Sequence, residues 1–340
     1  MERPAFLRLA LGVVISVVFL GITLSRVDLP KTAEAIGRAA PLGLAIGVGI
    51  VLVDVSLRAL RWRVLLAGVD SAASPPSYRL ALGYLTIGYA ANAVLPARLG
   101  DVARAILAGS AFGMPRLAIF GTIMVERLAD GLTMLGLALV SSILVAGIAE
   151  LRQLALFGLV AAVVGGFVVL VGWLVLSRSA SRGVGILVRI AAIAGRVAAG
   201  AGALRSARGA ALVGGLTVAV TMTAILVAWT VARSVGIPLQ PLEAVLFMSG
   251  VALSLAIPAA PGSLGTYEFV GVAIVTSLGY PPEQGLATMV LMRVVTAFPP
   301  AIAGLISLVV LQVRPRTLLA ASDDEAEIAV QSSGPVVPGR

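Results

Sequence analysis

Arginine and carboxylate side chains recur within stretches of this 340-residue chain that are otherwise apolar enough for a lipid bilayer. Asn92, Arg98, Asp101 and Arg104 end or follow one such stretch. Glu126, Arg127 and Asp130 lie within another, and Glu268 and Arg293 lie within two more. Ionisable groups inside a membrane are costly and mark functional sites. Guanidinium groups hold phosphate oxygens in pairs, so Arg98, Arg127 and Arg293 are the candidate phosphate contacts. Glu126, Asp130 and Glu268 are their counter-charges, or the titrating groups of a proton coupling. Gly262-Ser263-Leu264-Gly265 opens a helix after Pro261, and a helix N-terminus offers free N–H groups and partial positive charge to a phosphate.

Each of these residues also has a plainer reading. Arg127 can be an interfacial anchor, Glu126 its simple partner, and the Pro-Gly segment an ordinary turn. Asp54 and Arg58, four residues apart, and the Arg61–Trp62–Arg63 cluster read as anchors at the membrane surface. The chain has neither cysteine nor histidine, which excludes disulfides, thiol and imidazole catalysis and the usual zinc and haem ligands. Glu126 and Asp130 share a helical face and could hold a hard cation, but Arg127 between them argues against it. No metal, cofactor or catalytic residue is expected, and no hydrolase or metalloprotease motif is present. The net charge of +9 is almost wholly arginine, with Lys31 the single lysine. It fits the positive-inside rule and attraction to anionic lipid headgroups. Nucleic-acid binding is not indicated, because the basic residues flank apolar spans and have no aromatic platform among them.

The elements that must position these residues are membrane helices. With 59% hydrophobic and 12% charged residues and a mean hydropathy of +1.06, the chain reads as an all-α polytopic integral membrane protein with eight apolar segments. Six are full spans: Ala5–Leu24, Pro41–Leu57, Leu117–Gly147, Leu151–Leu176, Ala210–Val231 and Gln284–Leu311. The first has no small-residue cleavage site after it and reads as a retained helix. Ser177 to Arg208 carries six arginines among small apolar residues and reads as a basic helix on the membrane surface. Residues 1–312 form the transmembrane domain, and 313–340 a disordered cytoplasmic tail.

The other two segments are broken. Tyr78–Gly109 is interrupted at Pro96 and Gly100, and Leu242–Leu278 at Pro258 and Pro261. Each is either a loop at the membrane surface or a re-entrant hairpin, since broken backbone survives in lipid only where protein or a water-filled cavity covers it. If all eight segments cross, arginine divides almost evenly between the two sides. If the two broken segments fold back, most of it falls on one side, with both termini cytoplasmic. The hairpins then open to opposite faces as an inverted repeat. Pro96 precedes Arg127 by 31 residues, and Pro261 precedes Arg293 by 32.

Five motifs in order carry a resemblance. They are R-x-L-R-W at Arg58–Trp62, N-x-x-x-P-x-R-x-G-D-x-x-R at Asn92–Arg104, E-R-x-x-D at Glu126–Asp130, P-x-x-P-G-S-L-G-x-x-E at Pro258–Glu268, and L-M-R ending at Arg293. From about residue 5 to 312 the chain resembles the flippase-like transmembrane domain of lysylphosphatidylglycerol synthases and their stand-alone relatives. The resemblance implies translocation of a phospholipid or lipid-linked headgroup between leaflets of the cell membrane. It also implies that Asn92, Pro96, Arg98, Gly100, Asp101, Arg104, Glu126, Arg127, Pro261, Gly262, Gly265, Glu268 and Arg293 carry the family motif, with Ser263 inside the second break. The aminoacyltransferase domain of bifunctional members has no counterpart after residue 312, so headgroup synthesis is not expected. A membrane-embedded transferase or phosphatase acting on a lipid-linked phosphate, and a small-anion transporter, are the competing readings.

Overall fold

The computed structural model describes residues 3–69, 74–94, 99–145, 195–254 and 263–313. Among these residues every regular element is helical. In order they are α1 (Arg3–Ser25), α2 (Leu29–Gly37), α3 (Pro41–Ala67), α4 (Tyr78–Val94), α5 (Leu99–Phe112), α6 (Arg116–Leu144), α7 (Ala207–Ser234), α8 (Pro241–Ser254), α9 (Thr266–Ser277) and α10 (Pro282–Val310). Helix starts follow local chemistry. Asp28 accepts the Lys31 N–H at 3.2 Å, Ser206 accepts the Gly209 N–H at 3.0 Å, and proline occupies the first turn of α3 and α10.

α3, α7 and α10 are each long and apolar enough to cross a bilayer, and the α1–α2 pair adds a fourth candidate bent by 84°. α6 is as long as α10, at 29 residues, but its first half carries Glu126, Arg127 and Asp130. The expected span Leu151–Leu176 and the tail from residue 314 lie outside the described residues, as does most of the basic segment.

The described end of that segment departs from a continuous surface helix. A helical turn at 195–199 gives way to a 3₁₀ turn at Gly202–Arg205 before α7 begins. The turn packs against Gly68 at the end of α3, and Val197 and Gly200 pack against Gly121 of α6.

α3 and α7 run antiparallel along their whole length, with Gly43 meeting Ser234, Asp54 meeting Thr223 and Arg61 meeting Thr217. α4 and α5 fold back on each other across the break at 95–98. Tyr84 lies edge-on to Phe112 at 5.2 Å, Gly88 faces Arg104, and Asn92 faces Asp101. Gly100 makes this approach possible, because a Cβ there would sit 2.5 Å from the Asn92 nitrogen. α9 and α10 are likewise antiparallel, pairing Glu268 with Arg293 and Gly271 with Met289. α10 also lies along α4, where Thr86 and Ser307 hydroxyls share a hydrogen bond of 3.0 Å, and α6 packs on α8.

Trp62, Leu66, Ile87, Phe247, Ala287 and Met289 belong to the fully buried centre of this bundle. Outward faces of α1, α3, α6 and α10 expose Val14, Val17, Leu42, Leu132, Ile143, Ile306 and Val309. Apolar faces of that extent need a lipid surround.

Candidate functional site

α3 continues eleven residues beyond Leu57 to its cap at Gly68, so Arg58, Arg61, Trp62 and Arg63 are part of the helix body. The anchor reading of this cluster is therefore corrected for Arg61 and Trp62, which are 1% and 0% exposed. Long charged side chains are buried only when paired, and these are paired. Arg58 Nε donates to Asp54 at 2.6 Å, and its Nη1 donates to Asp130 at 3.0 Å. Arg61 holds Asp130 with two N–H groups at 2.5 and 3.1 Å, donates to Thr217 at 3.0 Å, and lies 3.7 Å from Glu126.

Arg104 on α5 completes the group. Its Nη2 donates to Glu126 at 2.5 Å, and its guanidinium lies 4.1 Å over the Trp62 ring, whose N–H donates to Thr122 at 2.9 Å. Thr223 of α7 donates to Asp54 at 2.7 Å. Three guanidinium groups and three carboxylates thus bind α3, α5, α6 and α7 together. Two donors remain without a partner among the described residues, the Nε atoms of Arg61 and Arg104.

Two simpler pairs sit at the hairpins. Asp101, the third residue of α5, receives Arg127 on both oxygens at 2.8 to 3.2 Å and the Asn92 amide at 3.2 Å. Glu268, the third residue of α9, receives Arg293 Nε and Nη2 on one oxygen at 3.0 and 2.5 Å. Its other oxygen accepts the Gly265 N–H at 2.7 Å. Gly265 has φ +87, a conformation glycine adopts freely, and Ser263 has φ +53. The Arg293 guanidinium lies 4.8 Å over Tyr267.

The sequence-derived candidates therefore fall into groups. Asn92, Asp101 and Arg127 meet, with Gly100 packed beneath them. Arg104 and Glu126 belong to the larger network, and Gly265, Glu268 and Arg293 form the second pair. Ser263 opens the turn before α9, where its carbonyl accepts the Thr266 hydroxyl at 3.2 Å. Pro96, Arg98, Pro258, Pro261 and Gly262 lie outside the described residues. Arg127 and Arg293 are not open phosphate receptors, since each guanidinium is already occupied by a carboxylate. Asp54, Arg58, Arg61 and Thr217 are site residues that the anchor reading missed. The spacing of 54, 58 and 61 along one helix face was the available signal.

The family model for the lysylphosphatidylglycerol synthase transmembrane region matches residues 9–304. The chain is also 31% identical over 143 residues to "Glycosyltransferase AglD" of Haloferax volcanii. That match covers 40% of this chain and only 22% of the relative's length. No solved structure matches. Family and apolar helices together make this a multi-pass membrane protein with a role connected to membrane lipids. The chain belongs to the lysylphosphatidylglycerol synthase transmembrane-region family.

Proposed function

We propose that the protein moves a phospholipid or lipid-linked headgroup between leaflets of the cell membrane, with both termini cytoplasmic. The observation that carries this reading is an acid–arginine pair at matching helix positions in two halves of the chain. Helices α3 to α6 occupy 41–144 and α7 to α10 occupy 207–310. Their outer ends, and the starts of α6 and α10, are each 166 residues apart. Arg127 is the twelfth residue of α6, and Arg293 the twelfth of α10. The antiparallel α3–α7 contact supports an inverted relation between these halves, as does the reciprocal packing of α4 on α10 and α8 on α6. Two oppositely facing hairpins, each with a polar pair at its break, suit alternate exposure of one headgroup to both faces. A phosphate in bare hydrocarbon faces a prohibitive solvation cost, which such groups offset.

The test is reconstitution into phosphatidylcholine vesicles with a trace of fluorescent phospholipid, followed by addition of a membrane-impermeant quencher. Translocation appears as loss of more than the outer-leaflet half of the signal. Loss limited to that half refutes the reading. The relative named as a glycosyltransferase favours a second possibility, a transferase acting on a lipid-linked phosphate. Product formed by the purified protein from such a substrate would establish it instead.

A further inference from the structure

The two hairpin pairs differ from the larger network in how an arginine can be released. In the network, Asp130 is shared by Arg58 and Arg61, and Glu126 lies between Arg61 and Arg104. A proton on Asp130 frees no guanidinium there, because Arg58 keeps Asp54 and Arg61 keeps Glu126, and Arg104, which Glu126 holds, is itself buried. At the hairpins each acid serves a single arginine among the described residues. Each also has a neutral donor that stays when the arginine leaves: the Asn92 amide for Asp101, and the Gly265 N–H for Glu268. The arginines stand on the open side, with side chains 37% and 31% exposed against 11% and 8% for their carboxylates. The Asn92 carbonyl oxygen is buried and accepts no hydrogen bond among the described residues. It is an acceptor placed on the residue that already touches Asp101.

A lipid phosphate that takes Arg127 or Arg293 must displace a carboxylate, and a buried carboxylate stripped of its partner is too costly to persist. Resting on the lipid-phosphate reading above, we infer that Asp101 and Glu268 are proton gates. The phosphate oxygen replaces the carboxylate on the guanidinium while a proton binds the carboxylate oxygen. One anion and one proton enter together, and the charge of the site is unchanged. A protonated Asp101 becomes a donor, for which the Asn92 oxygen is the waiting acceptor. Few other groups compete for the proton. Facing Asp101 are Arg127 from α6 and the Asn92 amide from α4, and Arg127 in turn has Glu126 and the Tyr89 phenol near it. Facing Glu268 are Arg293 from α10 and the adjacent Tyr267 phenol, and the described side chains of α1 and α8 bring it no cation. The substrate class that follows is an anionic phosphate lipid carried with a proton. A zwitterionic headgroup would need none.

Calorimetric titration of the full chain in detergent tests this, with dioctanoyl phosphatidylglycerol and inorganic phosphate as separate probes. Each titration is run at one pH in two buffers of different ionisation enthalpy. The expected result is binding of the lipid with heats that report uptake of about one proton per lipid. The Asp101→Asn/Glu268→Gln double variant should lose that uptake. The wild-type result decides alone if the variant does not fold. Lipid binding with buffer-independent heat overturns proton gating and leaves the phosphate site standing. Binding of neither probe overturns the phosphate site itself, and gating with it. Inorganic phosphate bound as tightly as the lipid, with the same uptake, retains gating and assigns the site to a free anion.

Discussion

Glu268 and Arg293 hold each other across the α9–α10 contact, and the same carboxylate caps its own helix through the Gly265 N–H at 2.7 Å. One side chain thus fixes the turn after the second break and neutralises an arginine inside the bundle. Glu268→Gln keeps an acceptor for the cap and loses the ion pair, whereas Glu268→Ala loses both. The alanine variant should be less stable than the glutamine variant by about 1 kcal/mol, the usual contribution of an N-terminal capping interaction. Thermal unfolding in detergent measures the difference, and equal midpoints would show that the cap contributes nothing.

The network around Arg61 should behave as structure. Asp130→Ala leaves Arg61 without its two-pronged partner while 1% exposed. Removing one partner of such a buried pair costs roughly 3–5 kcal/mol. Asp130→Asn, which keeps the shape and one acceptor, should cost less. Unfolding midpoints of the two variants against wild type give the comparison, and an Asp130→Ala protein as stable as wild type would contradict the prediction.

Gly100 and Gly131 provide a matched contrast. A Cβ on Gly100 would strike the Asn92 backbone and the facing α4 carbonyl, whereas one on Gly131 meets open space. Gly100→Ala should open the α4–α5 contact and lower the melting temperature. Gly131→Ala should raise stability by up to about 1 kcal/mol through helix propensity alone. Equal effects would mean that α4 and α5 do not pack closely at Asn92.

Membrane orientation can be read by labelling, because the chain has no cysteine. Single cysteines at Ala111, near the end of α5, and at Ala201, before α7, should react only after permeabilisation of intact cells. Labelling of both by an impermeant maleimide from outside would overturn the cytoplasmic placement of the termini and the hairpin count.

Much of the fold was legible. Apolar length marked the segments that became α3, α7 and α10, and the Pro-Gly breaks marked where α4 gives way to α5 and α8 to α9. The acid–arginine pairs at the breaks were visible as residues, but their pairing was not. Asp101 and Arg127 are 26 positions apart, on two helices whose contact no local pattern encodes. The Arg58–Arg63 cluster resembled a membrane edge because three arginines and a tryptophan in six residues have the composition of one. Apart from Asp54, the acids and threonines that let it stay buried lie 60 to 169 positions along the chain from their partners. The correspondence between the two halves was masked for a related reason. At an offset of 166, Asp54, Arg61 and Glu126 align with Val220, Val227 and Met292, so among the charged residues only the arginine at 127 and 293 keeps its identity.

The most direct measurement compares leaflet exchange of a fluorescent anionic phospholipid in vesicles containing wild type, Arg127→Ala, Arg293→Ala, Arg293→Lys or Arg233→Ala protein, each checked for folded yield. Arg233 lies at the end of α7 over Trp229 and serves as the control. Exchange should be lost in Arg127→Ala and Arg293→Ala, partly retained in Arg293→Lys, where a fork becomes a point charge, and unchanged in Arg233→Ala. Exchange at the wild-type rate in both Arg127→Ala and Arg293→Ala would contradict the proposal that the paired arginines carry the headgroup.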